Sequence, residues 1–167
     1  NLHYKPAPLV AHLQGRAIEF SHEDPDILDT GGGLRHALPL LGNGPVFTMN
    51  TDAIWRGPNP LELLAAAWDP KRMDALLICV PQSRALGHAG TGDFVLSETG
   101  RISRGPGQVY GGVQIVKTAG LESIAKPAFS LNLLWDRIAD DGRLFGLEYP
   151  GAWCDVGQPE GIDLAED

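Results

Sequence analysis

The stretch PVFTMNTD at residues 45–52 decides the predicted fold, because an apolar run passes directly into a polar one. Residues 45–49 are compact and apolar, which predicts a buried strand. Asn50, Thr51 and Asp52 follow at its carboxyl end, where open α/β sheets collect their ligands. A carboxylate at that place can hold a hard cation such as Mg²⁺. The competing interpretation is an Asx turn that merely ends the strand, and these residues alone favour it.

Strands and helices are predicted to alternate on both sides of this stretch. NPLE at residues 59–62 has the N-cap, the proline and the glutamate of a helix start. ETG at residues 98–100 separates two short strands and predicts a hairpin. The pattern therefore predicts an α/β domain with a mixed, mostly parallel sheet. The predicted strands cover residues 17–20, 45–49, 74–80, 93–97, 101–103, 108–116 and 143–149. The first predicted helix begins near residue 6 and is ended by Gly15, another covers 34–41, and three more begin near 60, 131 and 159.

Composition argues against several classes of protein. A length of 167 residues fits one domain, and 43% hydrophobic with 20% charged residues are globular proportions. The net charge of −8 argues against a nucleic-acid partner, since phosphate binding needs a basic surface. Apolar runs stay well short of a membrane span, so no membrane partner is expected. Cys79 and Cys154 have no C-x-x-C spacing, and we therefore expect a reduced, cytoplasmic protein.

A run of three glycines follows Thr30 and precedes the predicted helix at 34–41. Glycines at this place let the backbone approach a flat or anionic ligand closely, with amides free at the helix N-terminus. The alternative is a flexible turn that only starts the helix. A triple glycine without further context leaves the two interpretations equally open.

Asp155, in WCDVG at residues 153–157, is a second acidic residue in a glycine-flanked segment. Two aspartates that share one Mg²⁺ with a bound triphosphate would form a site for phosphoryl or nucleotidyl transfer. Asp155 could instead cap the turn or helix that follows it.

The five histidines, among them His88, show no metal-ligand spacing and are assigned to the surface or the core. The sequence has neither the P-loop pattern nor G-x-S-x-G, which argues against those two site types.

Several short motifs together resemble the sugar-1-phosphate nucleotidyltransferase family, and their order along the chain is the family's order. Within that family, residues 30–42 and FSLN at 129–132 are most similar to the bacterial N-acetylmuramate-1-phosphate uridylyltransferases of cell-wall recycling. Related proteins in the same branch are often labelled mannose-1-phosphate guanylyltransferases. The motifs are LDTGGGL at 28–34, MNTD at 49–52, GDF at 92–94, YGG at 110–112 and WCDVG at 153–157.

This resemblance implies a Rossmann-like nucleotide-diphospho-sugar transferase fold over residues 1–167. The family's glycine-rich phosphate-binding loop would lie upstream of Asn1, so the resemblance implies a domain without its N-terminal βαβ portion, inactive as it stands. The implied reaction joins a nucleoside triphosphate, with UTP favoured, to a sugar-1-phosphate and releases pyrophosphate, with Mg²⁺ as cofactor. Mannose-1-phosphate guanylyl transfer, or a catalytically silent relative that binds a sugar nucleotide, is the alternative.

The resemblance also assigns roles to individual residues. Asp52 and Asp155 would be the catalytic pair and the Mg²⁺ ligands. Arg104 stands in SRGP at 103–106, where many relatives carry Glu-Lys-Pro, and it would replace their cation beside the sugar. The residues implied to contact the nucleobase are Thr30, Gly31 and Gly32, and those implied to line the sugar pocket are Gly92, Tyr110 and Gly112.

Overall fold

The computed structural model describes residues 1–166, and contacts between Cα atoms divide the chain into two compact units. The first unit consists of residues 1–44 and 117–137, and the second of residues 45–116 and of the chain from residue 138 onward. Each unit is described separately below. The single nucleotidyltransferase domain expected over 1–167 stays a prediction.

The structure contains five α-helices and nine strands within residues 1–166. None of these helices has both the length and the apolar composition needed to cross a membrane. The helices are α1 (Pro6–His12), α2 (Asp29–Leu41), α3 (Pro60–Ala67), α4 (Asn132–Asp140) and α5 (Pro159–Glu166). The strands are β1 (Val46–Met49), β2 (Ala53–Arg56), β3 (Ala75–Val80), β4 (Ala85–Leu86), β5 (Phe94–Leu96), β6 (Ile102–Arg104), β7 (Val109–Val116), β8 (Leu144–Glu148) and β9 (Ala152–Asp155).

The largest sheet lies in the second unit and has the strand order β1-β7-β3-β8. β7 is antiparallel to both of its neighbours, whereas β3 and β8 are parallel. The predicted mixed sheet is therefore confirmed. Three of its strands run in one direction, as expected, but two of its three pairings are antiparallel because the single reversed strand lies inside the sheet.

The central strands of this sheet form the core of the second unit. All six residues of β3 are buried, because β7 and β8 flank it and both of its faces are covered. A strand buried on both faces has a nearly continuous apolar sequence, and ALLICV fits that rule. Leu64 of α3 packs on one face and is 0% exposed. Asn59 caps α3 as predicted, since its Oδ1 accepts a hydrogen bond from the Leu61 amide at 3.0 Å.

A smaller sheet in the second unit was not predicted. It has the order β2-β9-β4, with β2 antiparallel and β4 parallel to β9. Each of these strands has four residues or fewer, so no periodic pattern marks them in the sequence. The pairing places Ala53 opposite Asp155. The predicted hairpin is present as β5 and β6.

In the first unit, the triple glycine lies inside α2 rather than in a loop before it. The helix begins at Asp29 and continues through Pro39 to Leu41. The amides of Gly31 and Gly32 both donate to the Phe129 carbonyl, at 2.8 and 3.0 Å. The prediction of free amides at this helix start was therefore wrong, because a neighbouring carbonyl uses them.

Close packing explains why glycine occupies these positions. A Cβ on Gly31 would lie 2.5 Å from the Phe129 ring, and one on Gly32 would lie 2.6 Å from the Pro127 carbonyl oxygen. Arg35 holds the same segment by donating to the carbonyls of Ile124, Lys126 and Pro127. Further along, Ser130 Oγ accepts from the Asn132 amide at 3.3 Å, as its predicted capping role requires. Residues 17–20 form no strand, contrary to the prediction.

Candidate active site

Asp52 and Asp155 lie beside each other at the end of the β2–β9 pair. Asp52 precedes β2 directly, and Asp155 ends β9 opposite the first residue of β2. The Val156 amide donates to the Asp52 carbonyl at 2.9 Å, and this bond ties the two segments together beyond the strands. A short antiparallel pairing has thus brought together two residues that are distant in sequence.

The two carboxylates converge on Gly157. A Cβ built on Gly157 would lie 3.1 Å from Asp155 Oδ1 and 3.2 Å from Asp52 Oδ2. Both oxygens therefore lie within 3.2 Å of one position, the place where a side chain at residue 157 would begin. The Gly157 amide also donates to Asp155 Oδ1 at 2.9 Å, so the turn interpretation of Asp155 holds as well.

The donor set fits a magnesium ion. Magnesium commonly binds through one or two carboxylates and completes its octahedron with water and substrate phosphates. Asp52 and Asp155 supply those two carboxylates at one point. Within residues 1–166, no group of three or more His, Cys, Asp or Glu side chains is arranged to hold a metal. The remaining ligands of a bound cation would therefore come from groups other than a third His, Cys, Asp or Glu side chain of the described chain.

A cavity of about 140 Å³ opens beside this carboxylate pair. Three aspartates contribute to its wall, and no lysine or arginine is among the lining residues in the described part of the chain. An anionic ligand therefore meets net negative charge there. The lining residues are Asn50, Asp52, Ala53, His88, Asp93, Val109, Tyr110, Gly111, Gly112, Trp153 and Asp155.

The backbone of β7 forms one wall of the cavity. Gly112 has a φ of 83°, and a Cβ there would lie 2.9 Å from the Asn50 Cβ. The Asn50 amide donates to the Gly112 carbonyl at 2.8 Å, while Trp153 Nε1 donates to the Gly111 carbonyl at 3.0 Å. Glycine at position 112 thus lets β7 approach the segment that carries Asp52.

Tyr110 and Asp93 are linked at the same wall. The Tyr110 amide donates to Asp93 Oδ2 at 2.8 Å. Burial raises the pKa of the Tyr110 hydroxyl, and hydrogen bonds with Thr48 and Gln114 only partly offset this effect. The hydroxyl therefore keeps its proton at neutral pH and cannot serve as a base.

Cys79 lies on β3 and is fully buried. Burial raises the pKa of its thiol to about 12, and the charges of Asp93 and Glu148 act in the same direction. A thiol with so high a pKa is not an activated nucleophile.

The structure separates the sequence-predicted residues into three groups. Asp52, Asp155, Tyr110 and Gly112 line one cavity. Gly92 and Arg104 are not among its lining residues: Gly92 packs against the Gly107 backbone, and the Arg104 guanidinium lies 4.8 Å from the centre of the Phe94 ring. Thr30, Gly31 and Gly32 belong to the first unit, where the Thr30 hydroxyl accepts from the Leu131 amide at 3.0 Å.

Two titratable residues of the cavity, Asp93 and His88, received no role from the sequence. Asp93 stands in a quoted motif, but its contact with the Tyr110 amide depends on the fold. His88 was assigned to the surface or the core because it has no partner histidine at metal-ligand spacing. The signal that could have marked it is local: it stands between Gly87 and Gly90, directly after a short strand.

Comparison with known proteins identifies the family. An N-acetylmuramate α-1-phosphate uridylyltransferase of Caulobacter vibrioides is 40% identical over 180 residues, which cover 99% of this chain and 74% of that protein. The chain belongs to this family. A protein of the same name from Neisseria meningitidis serogroup B is 31% identical over 152 residues, covering 86% of the chain and 63% of its own length. The resemblance inferred from the ordered motifs is confirmed.

Solved structures confirm the fold. HddC from Yersinia pseudotuberculosis, complexed with GMP-PN, matches with a TM-score of 0.73 at 17% identity, covering 98% of this chain and 74% of that one. A Bacillus anthracis protein assigned as a glucose-1-phosphate thymidylyltransferase, in complex with a sucrose, has a TM-score of 0.73 at 13% identity, covering 95% and 70%. At these identities the match shows the fold alone. No protein-family model matches the chain.

Proposed function

We propose that this uridylyltransferase-family chain serves a reaction that transfers the uridylyl group of UTP to N-acetylmuramate-1-phosphate and releases pyrophosphate, and that it does so as part of the protein encoded by the complete gene. The observation that carries the proposal is the convergence of Asp52 and Asp155 on one position beside Gly157. The names of the two relatives supply the substrates. A place in peptidoglycan recycling, in the cytoplasm, belongs to the same proposal.

The charge of the cavity supports a requirement for Mg²⁺. Three carboxylates line it without a lysine or arginine among the lining residues within 1–166, so a triphosphate would be repelled from the bare site. Asp52 and Asp155 would hold the ion. When bound, Mg²⁺ supplies the positive charge that orients the phosphates and offsets the negative charge growing at the α-phosphorus.

The transfer itself is an in-line displacement. A phosphate oxygen of the sugar-1-phosphate forms a bond to the α-phosphorus, and the bond from that phosphorus to the β-phosphate bridging oxygen breaks, so that pyrophosphate leaves with the electron pair. The protein's part is to position the two reactants. Tyr110 and Gly112 line the wall assigned to the sugar. The sugar contacts of Gly92 and Arg104, and the nucleobase contacts of Thr30, Gly31 and Gly32, stay predictions from the resemblance.

Pyrophosphate release by protein expressed from the complete gene tests this proposal. UTP with N-acetylmuramate-1-phosphate should react in the presence of Mg²⁺ and not after chelation. Asp52→Asn and Asp155→Asn should each lower the rate by about 10³-fold or more, since a metal ion contributes several kcal/mol to the transition state. Asp163→Asn, an exposed change of the same chemistry on α5, is the matched control and should keep full activity.

Two results would contradict the proposal. A preference for GTP with mannose-1-phosphate would reject the uridylyl and muramate assignment but leave the reaction class. Activity of both aspartate variants within tenfold of the wild type would instead reject the role of the carboxylate pair.

A further inference from the structure

His88 lines the cavity, and the proposed reaction described above gives it no role. β4 runs parallel to β9, with Leu86 beside Cys154. Gly87 follows with a φ of 75°, and a Cβ there would lie 2.8 Å from the Asp155 carbonyl oxygen. Only glycine suits both that conformation and that approach. The chain therefore passes close to Asp155 and then presents His88 at the cavity wall.

One nitrogen of the His88 ring makes no hydrogen bond within the part of the chain that the structure describes. This nitrogen is Nε2, and it is buried. Buried polar atoms of native proteins are nearly always paired, so an unpaired one calls for an explanation. Glycine at position 90 lets the backbone pass close to this nitrogen, since a Cβ there would lie 2.6 Å from Nε2.

The chemistry of the cavity indicates what Nε2 pairs with. His88 is the one basic side chain among the lining residues in the described chain, and the charged groups beside it are Asp52, Asp93 and Asp155. A sugar-1-phosphate has anionic oxygens that accept hydrogen bonds. An imidazole with its proton on Nε2 donates one without needing a positive charge. Arg104, the cation expected from the sequence beside the sugar, is not among the lining residues.

We propose that His88 binds the sugar substrate by donating a hydrogen bond from Nε2 to one of its anionic oxygens. This inference rests on the proposed function, because the substrate class comes from it. Two groups of N-acetylmuramate-1-phosphate have such oxygens: the phosphate and the lactyl carboxylate. N-acetylglucosamine-1-phosphate has the same phosphate and no carboxylate, so it distinguishes the two.

Binding of both sugar phosphates, measured by titration calorimetry with Mg²⁺ present, tests the proposal without turnover. His88→Leu should raise the Kd and the KM for N-acetylmuramate-1-phosphate about 10- to 100-fold, the range for a hydrogen bond to a charged group. The kcat and the KM for UTP should change less than threefold. His88→Gln keeps an N–H donor and should recover part of the affinity, while His12→Leu, at an exposed position on α1, should bind as the wild type does.

The outcomes separate this proposal from the proposed function. Weaker binding of both sugars by His88→Leu assigns Nε2 to the phosphate, and weaker binding of the muramate compound alone assigns it to the carboxylate. Unchanged affinity for both sugars, in a variant that melts as the wild type does, would overturn the role of His88 whatever the activity. If the wild type binds sugar phosphate through His88 but releases no pyrophosphate, the proposed function fails and the His88 contact stands.

Discussion

Two glycine-rich regions of this chain use their glycines in opposite ways. In the first unit, Gly31 and Gly32 lie within α2, where a neighbouring segment fills the space that side chains would take. In the second unit, the place that a Gly157 side chain would occupy lies beside two carboxylate oxygens, those of Asp52 and Asp155. The first set of glycines allows close packing, and at Gly157 we propose that the space receives a ligand.

The two regions differ in whether the polar groups beside their glycines are already hydrogen-bonded within the protein or face a cavity. The Gly31 and Gly32 amides both donate hydrogen bonds to the Phe129 carbonyl. Neither amide is therefore left to donate to a phosphate or a nucleobase. Beside Gly157, the carboxylate oxygens face a cavity that no basic group other than His88 lines within residues 1–166. A glycine-rich motif therefore indicates close approach of two groups, and only the hydrogen-bond partners show whether the second group is protein or ligand.

Among the substitutions that test this comparison of glycines, the largest effect is expected at Gly157, where we propose a ligand. Gly157→Ala should lower pyrophosphate release about 10- to 100-fold, because the new methyl group would lie 3.1 and 3.2 Å from the two carboxylate oxygens and take the space proposed for the ligand, where precise positioning governs the rate. Its unfolding free energy should change by less than about 1 kcal/mol, as is usual away from the core. Gly44→Ala, whose Cβ meets nothing within 4 Å, is the control. An unchanged rate would show that the space is not used.

The sequence could predict the long, strongly patterned elements and could name Asp52 and Asp155 as candidates, but not that they lie side by side. β1, β3, β7, β8 and α3 follow from apolar runs and a capping signal, since each is stabilised by patterns within its own segment. Asp52 follows from its position at the end of β1. These predictions required no knowledge of tertiary contacts.

The rest depends on contacts between distant segments. β2 and β9 exist because they pair with each other, and their pairing brings Asp155 next to Asp52. His88 reaches the cavity through the β4–β9 pairing and the turn at Gly87. The triple glycine was placed outside its helix because glycine lowers helix propensity, whereas packing against Phe129 and Pro127 favours the helix.

The second effect tests whether the glycines of the first unit are needed for close packing. Gly32→Ala should lower the unfolding free energy by about 2 kcal/mol, because overpacking against the Pro127 carbonyl costs more than the gain of up to about 1 kcal/mol in helix propensity. Chemical denaturation monitored by circular dichroism measures it. Gly44→Ala, in the same unit, should remain within about 0.5 kcal/mol of the wild type. Stabilisation by Gly32→Ala would show that α2 has room at this position.

The third effect is a loss of folding stability at alkaline pH, caused by the Cys79 thiol in the second unit. The Cys79 pKa is raised to about 12 from its ordinary value of 9.0, so the folded thiol keeps its proton where the unfolded one loses it. The unfolding free energy should therefore fall as pH rises above about 9, by at most about 1.4 kcal/mol per pH unit for this group. Cys79→Ala should flatten the slope between pH 9 and 10, below the range in which Tyr110 adds its own loss. An equal slope in both proteins would contradict the assignment.

The smallest effect separates packing from nucleotide binding in the first unit. Thr30→Val removes the hydroxyl that accepts from the Leu131 amide and keeps the shape of the side chain. We expect a loss of about 1 kcal/mol in unfolding free energy, the usual net worth of one hydrogen bond with a partly buried partner. Thr30→Ser keeps the acceptor and should recover most of that loss, which denaturant titration of both variants resolves. The KM for UTP, measured on the same two proteins, tests the role that the resemblance implies. If Thr30→Val raises this KM several-fold and Thr30→Ser does not, the hydroxyl also serves the nucleotide, and the contrast between the two glycine regions would be one of degree rather than of kind.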